Sequence, residues 1–187
     1  MYLGDMQCVG KAKLNTDICI NIGIGGLMKL THLDSKGKAK MVDVSNKEIN
    51  LRTSSASAEV ILTKEAFLAV KNNSVMKGDV LSVARIAGIQ AAKRTSELIP
   101  LCHNIFISSV TIDFALSESN NSINITSETK TNAVTGIEME ALTAVTIAAL
   151  TIYDMCKAID KSIRIKNIHL LSKTGGKSGG YLADVKL

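Results

Sequence analysis

Apolar and polar positions alternate along two stretches of the chain, Phe106 to Leu116 and Ser122 to Glu128, with Ser117-Glu118-Ser119-Asn120-Asn121 between them. A period of two interrupted by small polar residues predicts a β-hairpin. Lys40 to Val44 and Ser57 to Leu62 alternate in the same way and read as strands. Thr63 is placed to cap a short helix from Lys64 to Val70, which Asn72-Asn73-Ser74 ends. From Val80 to Ile99 apolar residues recur at helical spacing behind Asp79 as N-cap. Pro100, the only proline, disfavours helix at the residue before it and so stops the element. Ala141 to Tyr153 carries no formal charge and predicts a buried helix running from Glu138 to about Ile159. Strands from Ile163 to Leu171 and from Tyr181 to Val185 then flank a glycine-rich loop, Thr174 to Gly180. The order β-β-α-α-β-β-α-β-β predicts an α+β domain, helices packed on an antiparallel sheet in two layers. Residues 1–27 lack a clear period and end in Ile22-Gly23-Ile24-Gly25-Gly26. They are expected as a poorly ordered N-terminal extension, leaving 28–187 as one domain.

Composition narrows the partners. A chain of 187 residues with 46% hydrophobic content is long enough and apolar enough for one real core. No apolar run reaches the roughly 20 residues that span a bilayer, so no membrane role is expected. Cys8, Cys19, Cys102 and Cys156 lie far apart without a Cys-x-x-Cys pair, which fits reduced thiols in a cytoplasm. A net charge of +5 suits an anionic partner. With 3% aromatics and no Trp there is little to stack nucleobases on, so a phosphate-bearing small molecule fits better than a nucleic acid.

The chemistry concentrates around the uncharged helix. Glu138 and Glu140 precede it and Asp154 and Lys157 close it. Ionised groups beside a buried segment are costly unless paired or used. Asp154 and Lys157 share a helix face. They are either a surface ion pair or, if partly buried, a pair with perturbed pKa values fit for acid–base work. Lys77 stands just outside the helix that Asp79 caps, where its charge opposes the helix dipole; it is either a solvated lysine or a cation recruited for a ligand. Arg85, Lys93, Arg94 and Glu97 read as that helix's solvated face, or with Arg85 turned inward. Leu101-Cys102-His103 has no second pair at metal-ligand spacing, so no metal is expected; the pair reads either as a core cysteine beside a surface histidine or with His103 as a phosphate or proton partner. Ser172-Lys173-Thr174-Gly175-Gly176-Lys177-Ser178 looks like a P-loop but has Leu171 where that loop needs its first glycine. It is either a solvated hairpin loop or a turn whose backbone N–H groups and two lysines wrap phosphate oxygens.

Several blocks in order resemble one family, the cyclic pyranopterin monophosphate synthases of molybdenum cofactor biosynthesis. They are Leu30-Thr31-His32 with Met41-Val42-Asp43-Val44-Ser45, Lys77-Gly78-Asp79-Val80, Ala84 to Thr95, and Leu98-Ile99-Pro100-Leu101-Cys102-His103. Thr135 to Ala144, Ala148 to Ala158, and Lys173 to Gly179 complete the set. The match runs from about Met28 to Gly179, and the first 27 residues have no counterpart. The resemblance implies a ferredoxin-like α+β subunit in a homohexamer, a trimer of dimers, with active sites at subunit contacts and no cofactor. It implies conversion of a cyclised dihydroguanosine triphosphate to cyclic pyranopterin monophosphate with release of pyrophosphate. The implied catalytic residues are Asp154, Lys77 and Lys157. The implied substrate contacts are Leu101, Cys102, His103, Glu138, Met139, Glu140, Lys173 and Lys177. Asn104, Val134 and Gly180 depart from the usual pattern of a proline, a basic residue and an acidic residue at those places. A non-catalytic module binding nucleotide or RNA through the same cations is the competing class. Its binding would fall steeply with salt and tolerate many polyanions; the three carboxylates count against it.

Overall fold

The computed structural model describes Cys19–Asn21, Leu27–Lys29 and residues 36–176 and 179–184. The expectation of a poorly ordered segment at 1–27 falls mostly outside the described residues. The chain divides into two units, Met1–Asp43 and Val44–Leu187. In the first, β1 (Cys19–Asn21) pairs antiparallel with β2 (Leu27–Lys29), Ile20 opposite Met28.

The second unit begins with β3 (Asn50–Ile61), a 12-residue strand. One of its faces carries Ser54, Ala56, Ala58 and Val60, all buried. Helix α1 (Lys64–Lys71) follows, capped by Thr63 as its sequence requires, and α2 (Val80–Lys93) is capped by Asp79, which accepts the Ser82 N–H at 3.0 Å. A separate turn of helix, α3 (Thr95–Leu98), leads to β4 (Ser109–Ser117) and β5 (Ser122–Ala133). Asn121 makes the hairpin corner at φ +48°, a left-handed conformation that Asn tolerates. Then come α4 (Glu138–Cys156), β6 (Arg164–Thr174) and β7 (Tyr181–Leu182).

The five strands lie in the order β4-β5-β3-β6-β7, every pair antiparallel. Without β7 this is the split βαβ arrangement of a ferredoxin-like sandwich, with the helices on one face. Ile123 and Ile125 of β5 join the buried face of β3 against Ala141, Ala144, Val145, Ala148, Ala149 and Ile152 of α4. Small side chains bring the elements close. At Gly88 of α2 a Cβ would lie 2.7 Å from the Ala144 carbonyl oxygen of α4. By length and composition α4 could cross a membrane, but half of it is buried here as the core helix.

Three expectations need correction. Lys40 to Val44 forms no strand; the sheet starts at Asn50, where the residues begin to pair with β5. The helix expected through Ile99 breaks at Arg94, whose N–H turns back to the Ala91 and Ala92 carbonyls, while the buried Thr95 hydroxyl donates to Ala92 O at 2.9 Å. The first strand of the hairpin starts at Ser109 rather than Phe106. The intervening segment is held another way: the Thr131 hydroxyl donates to the Phe106 carbonyl.

Candidate active site

Helix α4 carries chemistry at both ends. Its N-terminal turn has no side-chain cap. Instead, the β5 hydroxyls of Thr129 and Ser127 donate to the carbonyls of Ile137 (3.3 Å) and Ala141 (2.9 Å), pinning the helix start to the sheet. The turn Val134–Gly136 and the start of α4 wall a cleft of about 700 Å³, together with Lys47, Glu48 and Arg52 on one side and Lys173, Gly175 and Gly176 on the other.

Within this cleft Lys173 on β6 donates to the Glu138 carboxylate at 2.9 Å, both side chains half-buried. The Glu138 carboxylate lies over Gly136, in space that any side chain there would occupy. Glu140, two residues on, is 4% exposed. Burial pushes its carboxyl up to about 7, against the lowering effect of its own backbone N–H and with a further rise from the Glu138 charge. Cys102 is close enough that the Glu140 charge adds to burial in raising its thiol pKa. The Leu101-Cys102-His103 segment therefore joins this end of the helix. Leu101 and Met139 are exposed and His103 is half-buried. Lys177 lies outside the described residues.

At the other end, Asp154 takes two ammonium groups. Lys157 donates to Oδ1 at 2.6 Å, and Lys77, from the turn before α2, donates to Oδ2 at 2.9 Å and to the Asp154 carbonyl at 2.8 Å. Hydrogen bonds from Lys157 and Lys77 hold the Asp154 carboxyl down to about 2, and the same bond raises Lys157. Of the two readings, the surface ion pair is the one found: the Asp154 side chain is 54% exposed, and the shift comes from the lysines. The neighbouring Cys156 is the buried group, its thiol pushed up to about 11 by burial and by Asp160. Lys77 thus stands outside α2 because Asp154 holds it there.

Sequence reasoning overlooked Arg52 and Lys47. Arg52 shares the parity of Ser54, Ala56, Ala58 and Val60, so it stands on the helix-facing side of β3 at the strand's end. An arginine in register with a buried face was the available signal. Arg85 stays exposed, as a solvated face predicts, but lies along the sheet: its Nε donates to the Ile112 carbonyl at 2.9 Å and its guanidinium sits 5.4 Å from the centre of the Phe114 ring.

Residues 41–176 match the MoaC family, a span that includes both ends of α4 and the cleft at the ends of β5, β3 and β6. The chain belongs to this family. A cyclic pyranopterin monophosphate synthase of Clostridium botulinum is 54% identical over 154 residues, 82% of this chain and 97% of the relative. Proteins of the same name from Heliobacterium modesticaldum (53% over 155 residues) and Bacillus mycoides (48% over 158 residues) each cover 83% of this chain and 98% of their own length. Among the described residues, Lys77, Asp154 and Lys157 are gathered at one point, and Glu138 and Lys173 at another, with Glu140 and Cys102 near the latter.

Proposed function

We propose that this chain converts (8S)-3',8-cyclo-7,8-dihydroguanosine 5'-triphosphate to cyclic pyranopterin monophosphate and pyrophosphate, as the names of its relatives imply. The observation that carries the reading is Asp154 clamped between Lys77 and Lys157 in a chain that matches the family along most of its length. Rearranging a purine-derived ring requires protons to be taken and returned, and a carboxylate bonded to two ammonium groups can relay them. Closing the cyclic phosphate expels pyrophosphate, whose growing negative charge is met by the cations of the cleft, Lys173 and Lys47. As the resemblance implies, His103 and Lys177 add to these charges, and Leu101, Cys102, Met139 and Glu140 hold the ring system.

The distance between the two clusters supports a functional unit larger than one chain. Glu138 and Asp154 are 16 residues apart on α4, roughly 24 Å at about 1.5 Å per residue, too far for both to touch one substrate. We place Lys77, Asp154 and Lys157 of one copy over the cleft of another, within a homohexamer arranged as a trimer of dimers in the cytoplasm. Covering the trio removes water from it, which brings the carboxylate out of its strongly acidic range and toward one where protons can be exchanged.

Turnover on enzymatically made substrate, followed by pyrophosphate release and by the fluorescence of the oxidised pterin product, tests the reaction. Co-assembly of Asp154→Asn chains with Glu138→Gln chains tests the shared site. Each variant alone is inactive. Mixed oligomers regain activity at roughly a quarter of their sites, since random pairing brings two intact halves together that often. No recovery in mixed oligomers of correct size would put the whole site in one chain.

A further inference from the structure

Arg52 is where the cleft's two walls are tied together. Its Nε donates to the Ala133 carbonyl at 2.8 Å and its Nη2 to the Val134 carbonyl at 3.1 Å. Those carbonyls belong to the last residue of β5 and the first of the turn into α4. The third guanidinium nitrogen faces the opposite wall: a Cβ on Gly176 would lie 2.5 Å from Nη1, and a Cβ on Gly175 the same distance from the Leu51 carbonyl. Both glycines have left-handed backbone, φ +83° and +89°, so the turn after β6 packs flat on the arginine. The turn into α4 has no side-chain cap of its own.

We propose that Arg52 is a positioning residue for the reaction: its planar fork holds the Val134–Gly136 turn against the Gly175–Gly176 turn, and so sets the Glu138–Lys173 pair in place. The assignment rests on the activity proposed above. Arginine suits the task because its donors lie in one plane with fixed spacing. Two of its donors are committed to carbonyls, which anchors the fork on the protein's own backbone. A lysine would keep the charge in the cleft but could not bridge two carbonyls and back a glycine turn at once.

Arg52→Lys therefore separates the roles. The expected result is a fall in kcat of about ten- to a hundred-fold with KM within about three-fold, since small misplacements of reacting groups act on the chemical step. Amide hydrogen exchange at residues 134–138 should quicken in the same variant, a readout that needs no turnover. Gly176→Ala, which pushes on the guanidinium, should reproduce both changes and add little in the Arg52→Lys background, as residues in one network do. A rise in KM with kcat unchanged would make Arg52 a direct phosphate ligand and overturn the proposal. Wild-type kinetics with only a lower Tm would make it merely structural, and would overturn it too. If the wild-type chain itself releases no pyrophosphate, the proposed activity has failed, while unchanged exchange at 134–138 in Arg52→Lys would separately refute the clasp.

Discussion

The two ends of α4 hold the same kinds of group, carboxylates and lysines, and treat them in opposite ways. At the N-terminal end Glu140 is buried, and loss of water raises its carboxyl to about 7. At the C-terminal end Asp154 is open to solvent, and two lysines hold it near 2. Burial dominates where the helix enters under the β5 turn, and ion pairing dominates where it emerges. The difference teaches that desolvation and ion pairing can set the pKa values of chemically similar groups far apart along one helix. The N-terminal end pairs a buried Glu140 with a Glu138 that lines the cleft and bonds to Lys173, whereas the trio at the other end is open to solvent.

The largest effect that would break this contrast is at Asp154. Asp154→Asn keeps the shape but removes the charge on which both lysines converge. Turnover should fall by about 10²- to 10⁴-fold, the usual reach of a general acid or base, with substrate binding by calorimetry nearly unchanged. Turnover like the wild type would remove Asp154 from the mechanism.

Glu140 sharpens the contrast through pH. Its carboxyl pKa is raised in the folded chain, from 4.5 to about 7. The unfolded chain therefore releases this proton first. The associated stability is present in full below about pH 4.5 and is lost as pH rises to about 7. The loss is on the order of 3 kcal/mol at most, from about 1.4 kcal/mol per pH unit. Urea titrations across that window should show the decline in the wild type and a flatter profile in Glu140→Gln. An identical slope in both would mean that Glu140 is not the group responsible.

Smaller effects test the frame between the two ends. Gly88→Ala sets a methyl group against the Ala144 carbonyl at mid-helix and against the Ile112 side chain. It should cost about 2 kcal/mol by overpacking, measured by chemical denaturation. Asp160→Asn probes the anchor just beyond Asp154. Its carboxylate accepts from Thr63 N (2.8 Å), Ser162 N (2.7 Å) and Ser162 Oγ (2.6 Å). Burial pushes this carboxyl up, but those hydrogen bonds outweigh it and leave it below its ordinary range. Its contribution is present above the unfolded value of 3.8 and is lost as pH falls below it. The amide should cost about 1 kcal/mol at neutral pH, since one acceptor oxygen remains. It should also lessen the loss of stability in acid. An Asp160→Asn chain as acid-sensitive as the wild type would assign that sensitivity to other carboxylates.

Much of this architecture was legible in the chain itself. Alternation over Ser122 to Glu128, the caps Thr63 and Asp79, and the uncharged run from Ala141 to Tyr153 each follow from local rules of period and hydrogen bonding, which neighbours in space only reinforce. The blocks around Lys77, Asp154 and Lys157 were legible as well, because residue type and order along the chain carry the family resemblance. Other features depended on partners distant in sequence. Asn50 to Ser57 is small and polar, with little hydrophobic signal, yet it becomes the central strand because β5 and β6 pair with it on both sides. The break at Arg94 reflects a buried Thr95 returning its hydroxyl to the helix. Which carboxylate is buried and which exposed could not be read from the apolar run that all of them flank. That was decided by where the sheet covers α4, since desolvation and ion pairing act through space. So was the role of Arg52, whose bonds reach residues 81 and 82 positions away.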